Sequence, residues 1–318
     1  MNKNAQNNYE PPPSDFIKHI NTPLISVCIP AFNHEKFVSE TIESVVNSTY
    51  PNIEIIVIDD GSTDKTYSIA SQLIDRNSAR FKRSIIKKQT NVGINRTINL
   101  LVNESKGEYI YILASDDLLP PDALEKLLQE HKKIFNGSPG LLFYDVRTIS
   151  EQSDTIEEST LKCRHHEYLP ALLKNRDFLF FFLAFRWETP FQHQFYSRSA
   201  YDFIGGYPES LHVEDVYFGL TGAGRSIGAL TTVVGKWYRL REMRGITPGL
   251  TKRQYAGISS KKEAINQVTT YRKFILLASI FLEYITIRFS QRAANYVAHR
   301  IVRIRSRLIM QQHKKNEK

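Results

Sequence analysis

Two pairs of adjacent aspartates are the residues of this sequence best suited to chemistry. Asp59-Asp60 follows the apolar run Ile53–Ile58, and Asp116-Asp117 comes shortly after the run Glu108–Leu113. Adjacent carboxylates repel each other and are costly to bury, so they need a cation or hydrogen-bond donors nearby. The pairs favour a divalent-metal site that also meets a phosphorylated or polyhydroxylated ligand. Each pair taken alone is equally compatible with a solvated turn before a helix.

The elements that must position these acids read as alternating strands and helices. Short apolar runs predict strands at Leu24–Pro30, Ile53–Ile58, Ser84–Lys87, Glu108–Leu113 and Leu141–Tyr144. Helical spacing predicts helices at Glu35–Val46, Thr66–Ile74, Ile94–Asn103 and Pro121–Phe135. This alternation predicts right-handed βαβ units and a mainly parallel sheet, whose ligands bind at the C-terminal strand ends. Both acid pairs are therefore expected on the same edge.

Composition and charge narrow the class of protein. The chain has 318 residues, 42% of them hydrophobic, and two cysteines, which favours a globular α/β protein of a reducing compartment. The sequence lacks both the Gly-x-Gly-x-x-Gly and the Walker loops, which argues against dehydrogenases and P-loop enzymes. We expect neither a signal peptide nor a membrane-spanning segment, since no run reaches the roughly 18 to 20 apolar residues that spanning needs.

Four blocks of the sequence resemble the family 2 glycosyltransferases, which have the GT-A fold. They are Val27–Asn33 with Ile58–Asp64, Asn91–Gly93 through Asn99 to Gly107–Ile110, Ala114–Asp117 with Pro121-Asp122, and Gly205–Glu209 with Glu214-Asp215. The resemblance implies a Rossmann-like mixed, mainly parallel sheet flanked by helices, with a C-terminal helical extension. The expected organisation is a flexible leader (1–22), a nucleotide-sugar-binding half (23–146), an acceptor-binding half (147–250) and a basic helical extension (251–318).

The resemblance also implies roles for individual residues. Those expected to bind the nucleotide-sugar are Pro30, Phe32, Asn33, Asp60, Asn91, Asp116 and Arg241, with Asp60 on the base. Asp117 is expected to hold Mn²⁺ or Mg²⁺, with Asp116 sharing the ion or contacting the ribose. Ala114 replaces the first acid of the family's metal motif.

The same resemblance implies roles for Arg241 and for the acid pair Glu214-Asp215. Arg241 takes the place of the histidine in a Tyr-Arg-x-His pattern, where it would neutralise diphosphate or lie on the surface. Asp215 is the expected catalytic base, with Glu214 beside it. The alternative for this second acid pair is a helix first turn that complements the helix dipole.

These residues suit an inverting single displacement. A carboxylate-held metal neutralises the departing diphosphate, and a separate carboxylate takes the proton of the acceptor hydroxyl. The resemblance, together with the basic tail, implies a transferase that uses a UDP-sugar, or alternatively a dTDP-sugar, and a lipid-linked glycan acceptor. The expected setting is bacterial surface polysaccharide synthesis (O-antigen or capsule), in the cytoplasm at the inner face of the cell membrane.

The acceptor side and the C-terminal extension leave alternatives open. Phe178–Phe185 is either a buried element or a surface for a lipid-linked acceptor, and His193 either lines the acceptor pocket or packs in the interior. Residues 261–289 and 290–310 are predicted helices. The second helix has arginines beside an apolar stripe. The stripe consists of Ala294, Val297, Ile301, Ile304 and Leu308. That pattern predicts either binding to an anionic membrane or packing, including homo-oligomerisation, with a solvated basic face.

Two other functions are weighed against the transferase. A sugar-phosphate nucleotidyltransferase usually has a glycine-rich loop after its first strand, where this chain has Pro30–Asn33. A nucleic-acid-binding protein is suggested by the net charge of +9. However, residues 288–318 hold nine Lys/Arg and one acid (+8), which leaves the other residues near neutral (+9 − 8 = +1). Because the body is nearly neutral and that tail has only two aromatics, Phe289 and Tyr296, no nucleic-acid partner is expected.

Overall fold

The computed structural model of the protein describes residues 22–185, 193–211, 214–241, 250–288, 300–307 and 309–311. Of these, residues 214, 250–257 and 284–288 are described for the backbone alone. The described strands form one eight-stranded sheet. The strands are β1 (Ile25–Ala31), β2 (Ile53–Asp59), β3 (Arg83–Lys88), β4 (Tyr109–Ile112), β5 (Leu141–Ile149), β6 (Thr155–Glu157), β7 (Gln194–Ser197) and β8 (Gly228–Arg239).

The strand order is β3-β2-β1-β4-β7-β5-β6, with β8 paired to β5. β1, β2, β3 and β4 pair in parallel, and β8 is parallel to β5. β7 is antiparallel to both β4 and β5, so β5 and β8 point the same way as β1–β4. The C-terminal ends of β1, β2, β4 and β8 therefore meet at one edge of the sheet, together with the N-terminal end of β7.

Helices cover the sheet. They are α1 (Val38–Val46), α2 (Thr66–Arg76), α3 (Ile94–Glu104), α4 (Ala123–Phe135), α5 (Thr160–His165), α6 (Leu169–Lys174), α7 (Arg176–Phe185), α8 (Arg198–Ile204), α9 (Glu214–Gly224), α10 (Leu250–Ile265) and α11 (Thr270–Arg288). Residues 300–307 and 309–311 are also helical.

The buried strands explain why the helices lie on both faces. All seven residues of β2 are buried, as expected for a central parallel strand. Because successive side chains point to opposite faces, Ile56 and Ile58 pack with Leu101 of α3, whereas Ile55 and Val57 belong to a second cluster. The mixed, mainly parallel sheet predicted from the sequence is thus confirmed, as is the helical C-terminal region.

Three details differ from the sequence-based prediction or decide between its alternatives. The expected boundary at residue 146 falls inside β5, so the two halves share one sheet. The helix predicted over 261–289 is interrupted, because α10 ends at Ile265 and α11 begins at Thr270. The phenylalanine-rich segment is a helix, α7, and Phe178 to Ala184 are all buried, so this segment packs in the interior.

The described C-terminal helical residues pack against the same core. Val302 and Ile309 are buried in the cluster that contains α7, whereas Ile304 of the predicted stripe is exposed. Ile301 is partly buried, and Ala294, Val297 and Leu308 lie outside the described residues. The buried face of this helix thus lies about one residue further along the chain than the predicted stripe. Within the described chain, none of the helices has both the length and the apolarity that crossing a membrane requires.

Candidate functional site

The loop after β1 contacts the loop after β2 at the sheet edge where the C-terminal strand ends meet. Asn33 has a left-handed backbone (φ 53°), a conformation that asparagine tolerates better than most residues. Its backbone N–H donates to Ser62 Oγ at 2.9 Å, and its Oδ1 accepts from the Thr63 N–H at 2.9 Å. Phe32 next to it is 45% exposed. The loop after β1 therefore lies directly against the loop after β2, which carries the first acid pair, Asp59-Asp60.

Asp60 organises the loop that contains Asn91. Its Oδ1 accepts from the Val92 N–H at 2.9 Å, and its Oδ2 accepts from the Gly93 N–H at 3.0 Å. Gly61 packs so closely on this loop that an added Cβ would lie 2.8 Å from Asn91 N. Asp60 thus holds the loop in place. Its expected contact with the base of the nucleotide stays a prediction.

His34 connects the first loop to the second acid pair, and the sequence analysis missed it. One ring nitrogen, Nδ1, lies 2.8 Å from Ser115 Oγ, and Nε2 lies 3.7 Å from Asp116 Oδ2. Burial lowers the pKa of His34, with the Asp116 charge opposing that shift and the Arg241 charge adding to it. The ring is therefore neutral at pH 7. Its place beside Asn33 in the first block is the signal that could have identified it.

Asp116 lies between two cationic or polar partners. Arg241 Nε approaches Asp116 Oδ2 to 3.0 Å, and the same oxygen faces His34. The Arg241 side chain is 43% exposed. The arginine predicted to neutralise diphosphate is thus brought to the acid pair, at the end of β8.

Asp117 is buried and has different partners. Its Oδ1 accepts from the Arg239 N–H at 3.0 Å, and its Oδ2 lies 3.5 Å from Lys236 Nζ. Burial raises the pKa of Asp117, and the Lys236 charge and the Arg239 N–H oppose that shift. Lys236 is itself only 4% exposed. Sequence reasoning missed it, because a lysine inside a strand gives no local sign of a distant partner.

The Arg239 side chain fixes the position of the acid pair. Its Nε donates to the Asp116 carbonyl at 2.8 Å, and its other nitrogens donate to the Glu151 carbonyl at 2.8 Å and to Glu40 Oε2 at 2.7 Å. The guanidinium is fully buried. The loop after β4 is therefore tied to α1 and to the turn after β5.

Asp215 lies at the start of α9, where the side chain of Gln194, the first residue of β7, donates to its carbonyl at 3.3 Å. It is 9% exposed. Burial raises the pKa of Tyr238, and the charges of three carboxylates raise it further: Asp117, Asp116 and Asp215. The Arg241 charge opposes them. The charges of the predicted base and of the predicted metal-binding pair thus all act on one phenol. Asp215 also lies in the first turn of α9, as the helix-dipole alternative requires. The Glu214 side chain lies outside the described residues.

His193 packs beneath the site. Its ring centroid lies 5.0 Å from that of Tyr238 and 6.2 Å from that of Tyr144. Burial and the nearby Lys236 charge hold the pKa of His193 well below its usual value. The imidazole is therefore neutral and belongs to the interior below the acids.

The residues would suit a metal ion that is held by one carboxylate together with a phosphorylated ligand. Among the described residues there is no cluster of three or more His, Cys, Asp or Glu side chains that could cage an ion. Mg²⁺ in nucleotide sites is commonly bound by one or two carboxylates together with substrate phosphates. Both described partners approach Asp116 at Oδ2, so Oδ1 is the oxygen that suits a metal, whereas Asp117 is engaged by Lys236 and Arg239. The geometry favours Asp116 over Asp117 as the ligand.

Sequence relatives share part of the chain. An uncharacterized glycosyltransferase of Haemophilus influenzae is 37% identical over 123 residues, which is 37% of this chain and 48% of the relative. The chondroitin synthase of Escherichia coli is 40% identical over 111 residues, which is 35% of this chain and 16% of that protein. The chain thus spans about half or less of the length of these curated relatives.

Solved structures share the fold. Residues 1–349 of S. aureus TarS in complex with UDP-GlcNAc give a TM-score of 0.59 at 17% identity, over 84% of this chain and 74% of that chain. The mannosyltransferase PcManGT of Pyrobaculum calidifontis, in complex with GDP-Man and Mn²⁺, gives 0.52 at 16% identity, over 91% and 84%. The profile of glycosyl transferase family 2 matches residues 26–186, which is 161 of the 318 residues. With the strand-end acids in that fold, the chain belongs to glycosyl transferase family 2.

Proposed function

We propose that this protein is an inverting glycosyltransferase that moves a sugar from a nucleotide-diphosphate sugar to a hydroxyl of a glycan. One observation carries the proposal: Asp116, Asp117 and Asp215 lie at the same edge of the sheet, with Arg241 Nε 3.0 Å from Asp116 Oδ2 and the Gln194 side chain of β7 bonded to the Asp215 carbonyl. UDP-GlcNAc in the TarS complex makes a UDP-sugar the first donor to test, with dTDP-sugars next. The chondroitin synthase relative supports a polysaccharide as the product.

The donor is proposed to lie over the loops after β1 and β2. The exposed residues Phe32 and Asn33 border this proposed donor site. Asp60 sets the conformation of the neighbouring loop at Asn91. The Arg241 guanidinium, which lies 3.0 Å from Asp116, is exposed enough to turn towards a diphosphate. A Mn²⁺ or Mg²⁺ ion held by Asp116 would supply charge neutralisation for the departing diphosphate.

Asp215 is proposed to act on the acceptor. As the acceptor oxygen attacks the anomeric carbon, the Asp215 carboxylate takes the hydroxyl proton, and the bond from that carbon to the diphosphate oxygen breaks. A single displacement of this kind inverts the anomeric configuration. A positioned general base contributes about 100- to 10,000-fold to a rate.

The experiment is a donor screen with a matched control. Purified protein is incubated with a panel of UDP- and dTDP-sugars and Mn²⁺, and nucleoside diphosphate release is measured. Asp215→Asn should lower turnover at least about 100-fold. Asp202→Asn, at an exposed aspartate of α8, should leave it unchanged. Retained anomeric configuration would contradict the inverting mechanism, and release of pyrophosphate would indicate a nucleotidyltransferase instead.

The acceptor and location are part of the same proposal. We propose a lipid-linked glycan of a bacterial surface polysaccharide (O-antigen or capsule) as the acceptor, with the protein at the cytoplasmic face of the membrane. The basic C-terminal extension supports this, since the +8 of residues 288–318 is suited to anionic lipid headgroups. Transfer to extracted lipid-linked glycan, but not to free monosaccharide, would be the expected outcome.

A further inference from the structure

Helix α11 presents an apolar face to solvent. Four large side chains on it are exposed: Phe274 by 68%, Phe281 by 65%, Leu277 by 50% and Tyr271 by 48%. Their spacing of three and four residues places them on one face of the helix. On the other side, Leu276 and Ile280 are buried against the rest of the protein. Single exposed apolar residues are ordinary, but a contiguous row of them marks an interaction surface.

The helix is held firmly by the protein behind this face. The buried Arg272 donates to the Gly224 carbonyl at 2.5 Å and pairs with Asp177. Further along, Glu283 pairs at 2.5 Å with Lys261, which is 3% exposed. Ion pairs and hydrogen bonds at two levels of the helix therefore fix which side faces outward. The row of apolar side chains is a permanent feature of the surface.

Charge indicates what covers this face. Residues 251–318 contain 15 Lys/Arg and three acids, which gives +12, so the first 250 residues carry −3 (+9 − 12 = −3). Near α11 in the chain, Arg303, Arg305 and Arg307 are exposed, and Arg303 pairs with Glu167 at 2.7 Å. Two copies meeting through this extension would bring like charges together, whereas an anionic bilayer attracts them. Aromatic and leucine side chains next to basic residues are typical of helices that lie in a membrane interface.

We propose that α11 docks on an anionic lipid bilayer through Phe274, Leu277 and Phe281, next to Tyr271, whose hydroxyl is bonded to Asp177. The helix lies parallel to the membrane plane, its apolar side chains enter the headgroup region, and the basic residues of the extension bind lipid phosphates. The helical residues 300–307 and 309–311 pack on the protein through the buried Val302 and Ile309. Their part in docking is therefore to supply positive charge. This surface extends the location proposed above, but it does not depend on the transfer reaction.

The test is flotation of the full chain with vesicles, in the absence of any sugar donor. Phosphatidylcholine vesicles with and without phosphatidylglycerol are compared for the wild type, for Phe274→Ser with Phe281→Ser, and for Leu173→Ser. Leu173 is 45% exposed on α6 and is the matched control. We expect the wild type and the control to float with the anionic vesicles and the double variant to bind at least about tenfold more weakly.

Three results would overturn the proposal. One is unchanged binding of the double variant, and another is equal binding to vesicles without phosphatidylglycerol. The third is light scattering that shows a dimer for the wild type and a monomer for the double variant, without vesicle binding, since a second copy would then cover the face. Circular dichroism checks that the double variant is folded. Because its donor turnover in solution is expected to be normal, a failed docking surface is distinguishable from a failed transferase.

Discussion

Replacing Lys236 by methionine should destabilise the protein by several kilocalories per mole. The change removes the ammonium group and keeps most of the side chain's length, so Asp117 loses the cation that lies 3.5 Å from its Oδ2. The side chains of Lys236 and Asp117 are 5% and 2% exposed, so solvent screens this pair little. Opposite charges at that distance attract by about 5 kcal/mol at an effective dielectric constant of about 20.

The measured loss should be somewhat smaller than this attraction. Asp117 keeps its bond from the Arg239 N–H, and it can take up a proton when its cation is gone. Breaking a buried pair typically costs about 3–5 kcal/mol, so we expect about 3 kcal/mol. Burial already raises the pKa of Asp117 to about 6. In the variant its pKa rises further, so the folded variant keeps a proton that the folded wild type releases near pH 6, and the loss should grow as pH rises above about 6.

The assay is urea unfolding of a double-mutant cycle at neutral pH. Lys236→Met, Asp117→Asn and the double variant are compared with the wild type, and the double variant should be more stable than the sum of the single losses by about 2 kcal/mol. Lys126→Met is the matched control, because Lys126 pairs with Asp122 at 2.5 Å on the exposed surface, where such pairs contribute about 0–1 kcal/mol. If Lys236→Met unfolds like the control, or if the coupling is zero, Lys236 does not neutralise Asp117.

Three further predictions concern the site and the core. Asp116→Asn should lower the Mn²⁺ affinity of the UDP complex at least about tenfold in calorimetry, whereas Asp122→Asn should not. Asp60→Ala should release the loop that it holds, so hydrogen exchange at Val92–Gly93 should speed up; unchanged exchange would contradict its anchoring role. Burial lowers the pKa of His131, so the unfolded chain binds its proton more readily. Stability should therefore fall as pH drops below about 6.5, less steeply in His131→Gln.

The alternation of strands and helices could be predicted because it is a local property. A β-branched run such as Ile53–Ile58, apolar except for Glu54, suits a strand buried on both faces. The direction of the chain along a parallel sheet then places the acids after β2 and β4 on one edge. That is why Asp60, Asp116 and Asp117 could be assigned to one region before any coordinates.

The partners of those acids could not be predicted, because they come from distant parts of the chain. Lys236 and Arg239 reach Asp117 only through the pairing of β8 beside β5 and the bridge between Leu118 and Trp237. Apolar spacing in the C-terminal helix predicted a stripe through Ile301 and Ile304, whereas the face through Val302 and Ile309 is the buried one. The buried one contains Ser306, whose polarity hid it. Contacts between distant segments, rather than local propensity, decided both cases.

The buried guanidinium of Arg239 has a consequence for binding thermodynamics. Since it bonds the main chain at Asp116 and at Glu151 and the Glu40 carboxylate, three segments must move together if any one of them moves. The acid-bearing turn is therefore rigid before a ligand arrives. A ligand that meets it loses little free energy to ordering the protein, so more of the contact enthalpy is retained as affinity.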